Sequence, residues 1–176
     1  SSQDGDTLSG AKTIHANELA AYVEDDWQFS DDLKVNIGLH TSAFNVEDRW
    51  YSSVQPRISA RWLAGKNLSI KGSYSRMPQY IHLLTNAGMG LPTDLWVPST
   101  SRVAPQQAHQ VTIGLAKTYL QKWEFSVEAY FKKMTDLIEY KDGASYLNIE
   151  GDWQDKVETG GLGKSYGIEF FAQRKV

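Results

Sequence analysis

The amino-acid sequence predicts an all-β fold, an antiparallel up-and-down meander of about seven strands with one face turned towards lipid. Three observations predict it. Apolar and polar side chains alternate with a period of two along seven segments, which places each kind on its own face of a sheet. The connections alternate short and longer, so in a meander the tight turns gather at one end and the long loops at the other. Large aromatic residues sit on the apolar face beside the short turns.

Residues 1–16 are polar and Gly-containing and read as a loop. The first strand, 17–29, carries Leu19, Ala21, Val23, Trp27 and Phe29 on one face, interrupted once by Asp25. Ser30, Asp31 and Asp32 form a turn of residues that bond their own backbone. The second strand, 33–46, sets Leu33, Val35, Ile37 and Leu39 against Lys34, Asn36, Gly38 and His40, and a polar connection, 47–53, follows. The third strand, 54–63, opposes Val54, Pro56, Ile58, Ala60 and Trp62 to Gln55, Arg57, Ser59 and Arg61. Pro56 lacks a ladder donor, which places it near the strand's start or at a bulge.

A Gly-bearing turn, 64–67, leads into a fourth strand, 68–77, with Leu68, Ile70, Gly72 and Tyr74 on the apolar side. The excursion 77–108 holds Asn86, Gly88, Gly90, Pro92, Pro98 and Pro105 and has no sustained period. The fifth strand, 109–118, presents Val111, Ile113 and Leu115, and a short turn at 119–122 follows it. The sixth, 123–140, presents Trp123, Phe125, Val127, Ala129 and Phe131. After a long polar connection, 141–163, the seventh strand, 164–174, presents Tyr166, Ile168, Phe170 and Ala172.

The lipid assignment rests on the ends of the strands. Trp27, Phe29, Trp62, Trp123 and Phe125 all lie at the short-turn end, where amphipathic rings favour a membrane–water boundary. Strands of this length span a bilayer when tilted, which takes about 9 to 11 residues. The opposite face carries charges of both signs, among them Glu24, Asp26, Arg57, Arg61, Lys71, Glu128 and Glu169, as suits a wet lumen or a polar plug. The competing fold is a soluble β-sandwich, an adhesion or carbohydrate-binding module, in which the aromatics close one end of a core. A mean hydropathy of -0.45 does not decide between them, because barrel strands meet lipid with only every second residue.

A net charge of -3 argues against a nucleic-acid partner, and the absence of cysteine excludes disulfides and thiolate metal sites. His15, His40, His82 and His109 show no metal-ligand spacing, so no metal is expected. Gly163-Lys164-Ser165 lacks the first glycine of a phosphate loop, since Glu158 stands there, and a strand follows it in place of a helix. No nucleophile–base arrangement or catalytic carboxylate pair stands out. Neither an enzyme nor a cofactor is expected, and the enzyme rival, a small outer-membrane barrel hydrolase, carries little support.

Gly72-Ser73-Tyr74-Ser75-Arg76-Met77-Pro78 with Tyr80-Ile81-His82-Leu83-Leu84 resembles the barrel of TonB-dependent outer-membrane receptors, where a strand ends in an aromatic-Ser-Arg-x-Pro signature. Val103 to Gln110, then Gly114-Leu115, resembles the family's next landmark, with Gln106 in place of its usual glutamate. Residues 18–27, 128–133 and 166–169 also resemble barrel strands of the family, nearest to its Bacteroides-type receptors. The resemblance implies part of a large barrel of about 22 strands in the outer membrane of a Gram-negative bacterium. It further implies a plug and remaining barrel strands outside this chain, a TonB complex reached through the full-length receptor, and a scarce nutrient as cargo: an iron chelate, cobalamin or glycan. On that reading the chain is an internal or late piece of the barrel. Candidate ligand-binding residues on the long-loop side are Tyr80, His82, Asn86, Asp94 and Trp96.

Overall fold

Period-two segments pair with their neighbours along the chain to make one sheet. The computed structural model describes residues 13–85, 95–142 and 152–174. Its strands are β1 (Ala16–Gln28), β2 (Leu33–Val46), β3 (Arg49–Leu63), β4 (Leu68–Gln79), β5 (Ile81–Leu84), β6 (Leu95–Pro98), β7 (Gln106–Tyr119), β8 (Trp123–Tyr140) and β9 (Val157–Arg174). Seven of them form a single antiparallel sheet in the order β1-β2-β3-β4-β7-β8-β9, and β5 and β6 form a separate hairpin.

The register assigns every residue a face. One continuous row runs Ile37, Ile58, Tyr74, Val111, Phe131 and Tyr166, all apolar or aromatic. The inner face carries Lys34–Arg61–Lys71 as one row and Asp26–Asn36–Ser59–Ser73–Thr112 as another, with Asn36 donating to Glu24 and Asp26 at 2.7 and 2.9 Å. The apolar face is bare: Val23, Ile58, Ile113, Ile168 and Phe170 are all exposed. A sandwich would need a second sheet there, and the described residues supply none. Asp25, the break in that face, accepts a hydrogen bond from the Trp27 indole on the same side of β1.

Setting Trp27, Trp62 and Trp123 at one height, as the sequence reading expects, fixes a strand tilt. Trp27 shares its register row with Val35, Ala60, Gly72, Ile113 and Ala129, so the row reaches β8 six residues above Trp123. Six residues at about 3.3 Å, set against five strand spacings of about 4.8 Å, give a slope of about 40°. That lies within the roughly 35–45° tilt of outer-membrane barrels, and Trp62, level with Val127, falls on the same slope.

Four strand boundaries differ from the sequence reading by two residues or more, all at the long-loop end. The expected connection 47–53 is a tight turn at Glu47 and Asp48, with Glu47 at φ 52, and β3 already starts at Arg49. β4 runs to Gln79, β7 starts at Gln106, and β9 starts at Val157 where 164 was expected. The cause is common to all: beyond the lipid the outer face need not be apolar, so alternation fades while the ladder continues. The clean segregation of loop lengths is therefore corrected, since one connection at the long-loop end is as tight as any at the other.

Pro56 sits opposite Leu39 inside β3, one residue before β3–β4 pairing begins at Arg57 and Ser75. It thus marks the point where the β4-facing edge of β3 opens. There the Arg76 guanidinium donates to the Val54 carbonyl at 3.3 Å and replaces a ladder bond. β1 and β9 each pair on one side only among the described residues.

Candidate ligand-binding site at the long-loop end

Buried apolar residues lie at one end of the inner face. Phe44 and Val46 of β2 continue the face that lower down carries Lys34 and Asn36, and both are buried with Tyr80, Ile14 and Tyr51 against them. The Tyr80 ring stacks on Phe44 with centroids 4.6 Å apart, and its hydroxyl hydrogen-bonds Ser42 at 2.7 Å. Gln55 donates to the same Ser42 oxygen at 2.9 Å. A second cluster joins Leu84 of β5, Val97 of β6, Val103 and Val157, with Ile138, Tyr140 and Trp153 around it. The described parts of the excursion after β4, 80–85 and 95–105, therefore lie over the loop-side end of the inner face, between the β2–β3 tip and the β8–β9 tip.

Buried polar residues lock it there. Thr100, fully buried, accepts at its carbonyl from the Tyr51 hydroxyl at 2.6 Å and donates from Oγ1 to Gln154 Oε1 at 2.6 Å. Its Oγ1 also accepts from the Arg102 and Val103 amides, each at 3.2 Å. Gln154 belongs to a short 3-10 turn, Trp153–Lys156, capped by Asp152. One threonine thus ties β3 to the segment before β9. The exposed Arg102–Asp155 pair, at 2.6 Å, raises the Arg102 pKa through its hydrogen bond and contributes little energy in water.

The β5–β6 hairpin has two faces. His82 and Leu84 pair with Val97 and Leu95 on the inner side, and Ile81 and Leu83 with Pro98 and Trp96 on the outer. His82 is 0% exposed, its Nε2 hydrogen-bonds Ser99 Oγ at 2.9 Å, and its Nδ1 has no partner among the described residues. Burial pushes its pKa down to about 4, so the ring is neutral at pH 7. Trp96 is 64% exposed, beside exposed Ile81 and Leu83.

Of the five candidates named from sequence, Tyr80 and His82 are buried among these loop contacts, Trp96 is open to solvent, and Asn86 and Asp94 lie outside the described residues. The structure brings Tyr80, His82 and Trp96 onto one excursion. Sequence reasoning missed Ser42, Thr100 and Gln154, because each is a polar residue whose partner lies between 13 and 54 positions away. Ser99-Thr100-Ser101 reads as ordinary loop, and nothing local marks Thr100. Among the described residues no group of three His, Asp or Glu side chains is placed to hold a metal ion.

The comparisons agree with this geometry. A family model described as TonB dependent receptor-like, beta-barrel, matches residues 2–174. The chain is similar in structure to the FrpB iron transporter from Neisseria meningitidis, with a TM-score of 0.63 and 13% identity over 94% of this chain and 25% of that one. It is similar to the siderophore receptor PirA from Pseudomonas aeruginosa, with a TM-score of 0.64 and 15% identity over 88% and 30%. For the alcaligin outer-membrane receptor FauA from Bordetella pertussis the TM-score is 0.56 at 14% identity, over 93% and 28%. At these identities the likeness shows the fold. Among curated protein sequences none matches the chain.

Proposed function

The chain belongs to the TonB-dependent receptor β-barrel family, whose members are outer-membrane proteins of Gram-negative bacteria, and on that premise we propose that its receptor imports a scarce small nutrient using TonB-coupled energy. The chain spans 25% to 30% of the solved structures it resembles. In the reading proposed, a plug, further strands and the TonB contact belong to the rest of the receptor. The open edges of β1 and β9 are where further strands would pair. The charged inner face, with Lys34, Arg61, Lys71 and Glu128 around one cleft, suits a polar plug.

An iron chelate is the cargo we favour, because three similar structures are an iron transporter, a siderophore receptor and an outer-membrane receptor for alcaligin. Cobalamin or a glycan is the other outcome. The observation that carries the reading is the excursion itself: a loop pack fixed over the lumen mouth that leaves Trp96, Ile81 and Leu83 exposed as one apolar patch. Trp96 would meet cargo, with Asn86 and Asp94 in the same excursion, while Tyr80 and His82 hold it in position. The role is that of a binding and transport protein and involves no catalysis.

The test is growth of a strain carrying the receptor on single sources of iron, cobalamin or glycan. Trp96→Ala should lower uptake of one of them about tenfold, in line with loss of one aromatic contact, with the barrel still assembled. Unchanged uptake of all three in a receptor deletion would overturn the reading.

A further inference from the structure

Two prolines end the ladder between β3 and β4 short of the loop side. The Leu63 amide donates to the Asp32 carbonyl at 2.8 Å and the Ala64 amide to the Leu68 carbonyl at 2.9 Å. Along β3, odd residues therefore bond towards β2 and even residues towards β4. The last pair of β3 with β4 is Arg57 with Ser75. Continued upwards, the register would set Pro56 against Arg76 and Val54 against Pro78, both positions where an antiparallel pair exchanges two bonds. Pro56 has no N–H for Arg76, and Pro78 has none for Val54. Each proline pairs on its other side, Pro56 opposite Leu39 and Pro78 opposite Gln107, so only the shared edge loses donors.

Depth makes the missing donors matter. Pro56 stands six residues above Trp62 on β3. At about 2.5 Å of height per residue that is about 15 Å, inside an apolar band about 25 Å tall. An unpaired backbone group at that depth has no water to bond and is costly. Arg76 answers for one of them. Its guanidinium donates to the Val54 carbonyl and to Gln107 Oε1, both at 3.3 Å, and so gives Val54 the donor that Pro78 lacks.

Above the cut, the end of the β4–β7 pair parts from the wall. In the continued register Tyr80 would stand opposite Ser52, on the outer face with Val54. It lies instead on the inner side, stacked on Phe44 and bonded to Ser42 of β2, beyond β3. Ser53 and Gln55 of β3 are buried at the same level. The Tyr80 carbonyl accepts from the Ser99 amide at 2.7 Å, and the neighbouring Thr100 is held by Tyr51, so the loop pack is tied to where Tyr80 lies. Two arrangements of this end compete: the one observed, and one with the ladder continued and Tyr80 outside.

We propose that Pro56, Pro78 and Arg76 are positioning residues for the loop pack. The prolines deny the β4–β7 end a ladder with β3, so it stays folded over the inner face, and Arg76 fastens it to the edge they leave open. Restoring both donors would zip β4 onto β3 and draw Tyr80 off Phe44. The inference rests on the excursion being the cargo-facing part of a barrel and deepens that reading by naming what sets its position, whichever nutrient is carried.

The experiment is amide hydrogen exchange, read residue by residue, on the full receptor in lipid bilayers. Pro56→Val with Pro78→Val should slow the Val54 and Arg76 amides and quicken 95–105, each by about twentyfold, as two net backbone hydrogen bonds allow. Local damage from the substitutions would quicken both. Pro78→Val alone should give the same pair of opposite changes at about fivefold, and it serves where the double variant assembles poorly. Arg76→Met should quicken 95–105 about fivefold, with Arg76→Lys nearer the parent. Ile58→Val, on the same edge below the cut, should change neither segment. Slower exchange at Val54 without release of 95–105, faster exchange at both, or no change at either would overturn the proposal. Opposite shifts in a receptor that imports none of the candidate nutrients would fault the cargo reading alone.

Discussion

Val127→Arg places a cation on the outer face of β8, four residues above Trp123. At about 2.5 Å of height per residue for a tilt of about 40°, and with an apolar band about 25 Å tall, the site lies about 10 Å inside one boundary and about 15 Å inside the other, near the midplane. An arginine on a barrel's lipid face costs about 2 to 4 kcal/mol at that depth, a factor of about 30 to 900 in the assembly equilibrium. Two further variants on the same strand separate lipid from other causes. Thr135→Arg, outward but about 30 Å of height from Trp123 and so beyond the apolar band, should cost about 0 to 1 kcal/mol. Ser126→Arg, adjacent in sequence but facing the lumen, should assemble nearly as well as the parent. The assay is the fraction of receptor with folded, heat-modifiable mobility in isolated outer membranes, with urea titration in bilayers where refolding is reversible. Equal losses at Ser126 and Val127, or no loss at Val127, would refute the assignment of faces and the depth scale together.

Thr100→Val removes a buried donor from Gln154 and an acceptor from two amides, and should loosen the loop pack by about 1 to 3 kcal/mol, read as faster hydrogen exchange in 95–105 with the barrel intact. For His82 the folded pKa, about 4, lies below the usual 6.5, so the unfolded loop binds more protons between those values. The stability it contributes is complete above pH 6.5 and is lost as pH falls towards 4, up to about 3 kcal/mol, so exchange in β5 and β6 should rise over that window and stay level in His82→Leu. Gly167 faces Tyr130, whose ring would lie 2.9 Å from an added Cβ. Gly167→Val should swing Tyr130 into the lumen at a cost of about 1 to 3 kcal/mol, visible as a lower urea midpoint.

The seven-stranded meander was legible because lipid enforces period two. Ile37, Ile58, Val111 and Phe131 are apolar for the solvent they face, and that solvent is uniform across the band. Above the band the constraint lapses. Trp50 and Tyr51 belong to β3, and Glu158 to Gly163 belong to β9, yet their polar surroundings read as loop. The loop pack was illegible for another reason: it is made by contacts of long sequence separation, Tyr80 with Ser42 and Thr100 with both Tyr51 and Gln154. Tyr80, His82, Asn86, Asp94 and Trp96 read from the sequence of the excursion as one group. That His82 is buried and Trp96 exposed depends on the pairing of β5 with β6, and the alternation of so short a hairpin does not reveal it.

The central claim is that one face of this sheet meets lipid and the other water. The chain contains no cysteine, so single cysteines can be introduced along β8 from 124 to 135 in the full receptor and spin-labelled without background. Collision rates with oxygen, which concentrates in lipid, and with a nickel chelate, which stays in water, report the solvent at each site. The account predicts a period of two, with oxygen dominating at 125, 127, 129 and 131, greatest at 127–129, and the chelate dominating at 126, 128 and 130. Equal chelate access on both faces, or oxygen access without period, would contradict it.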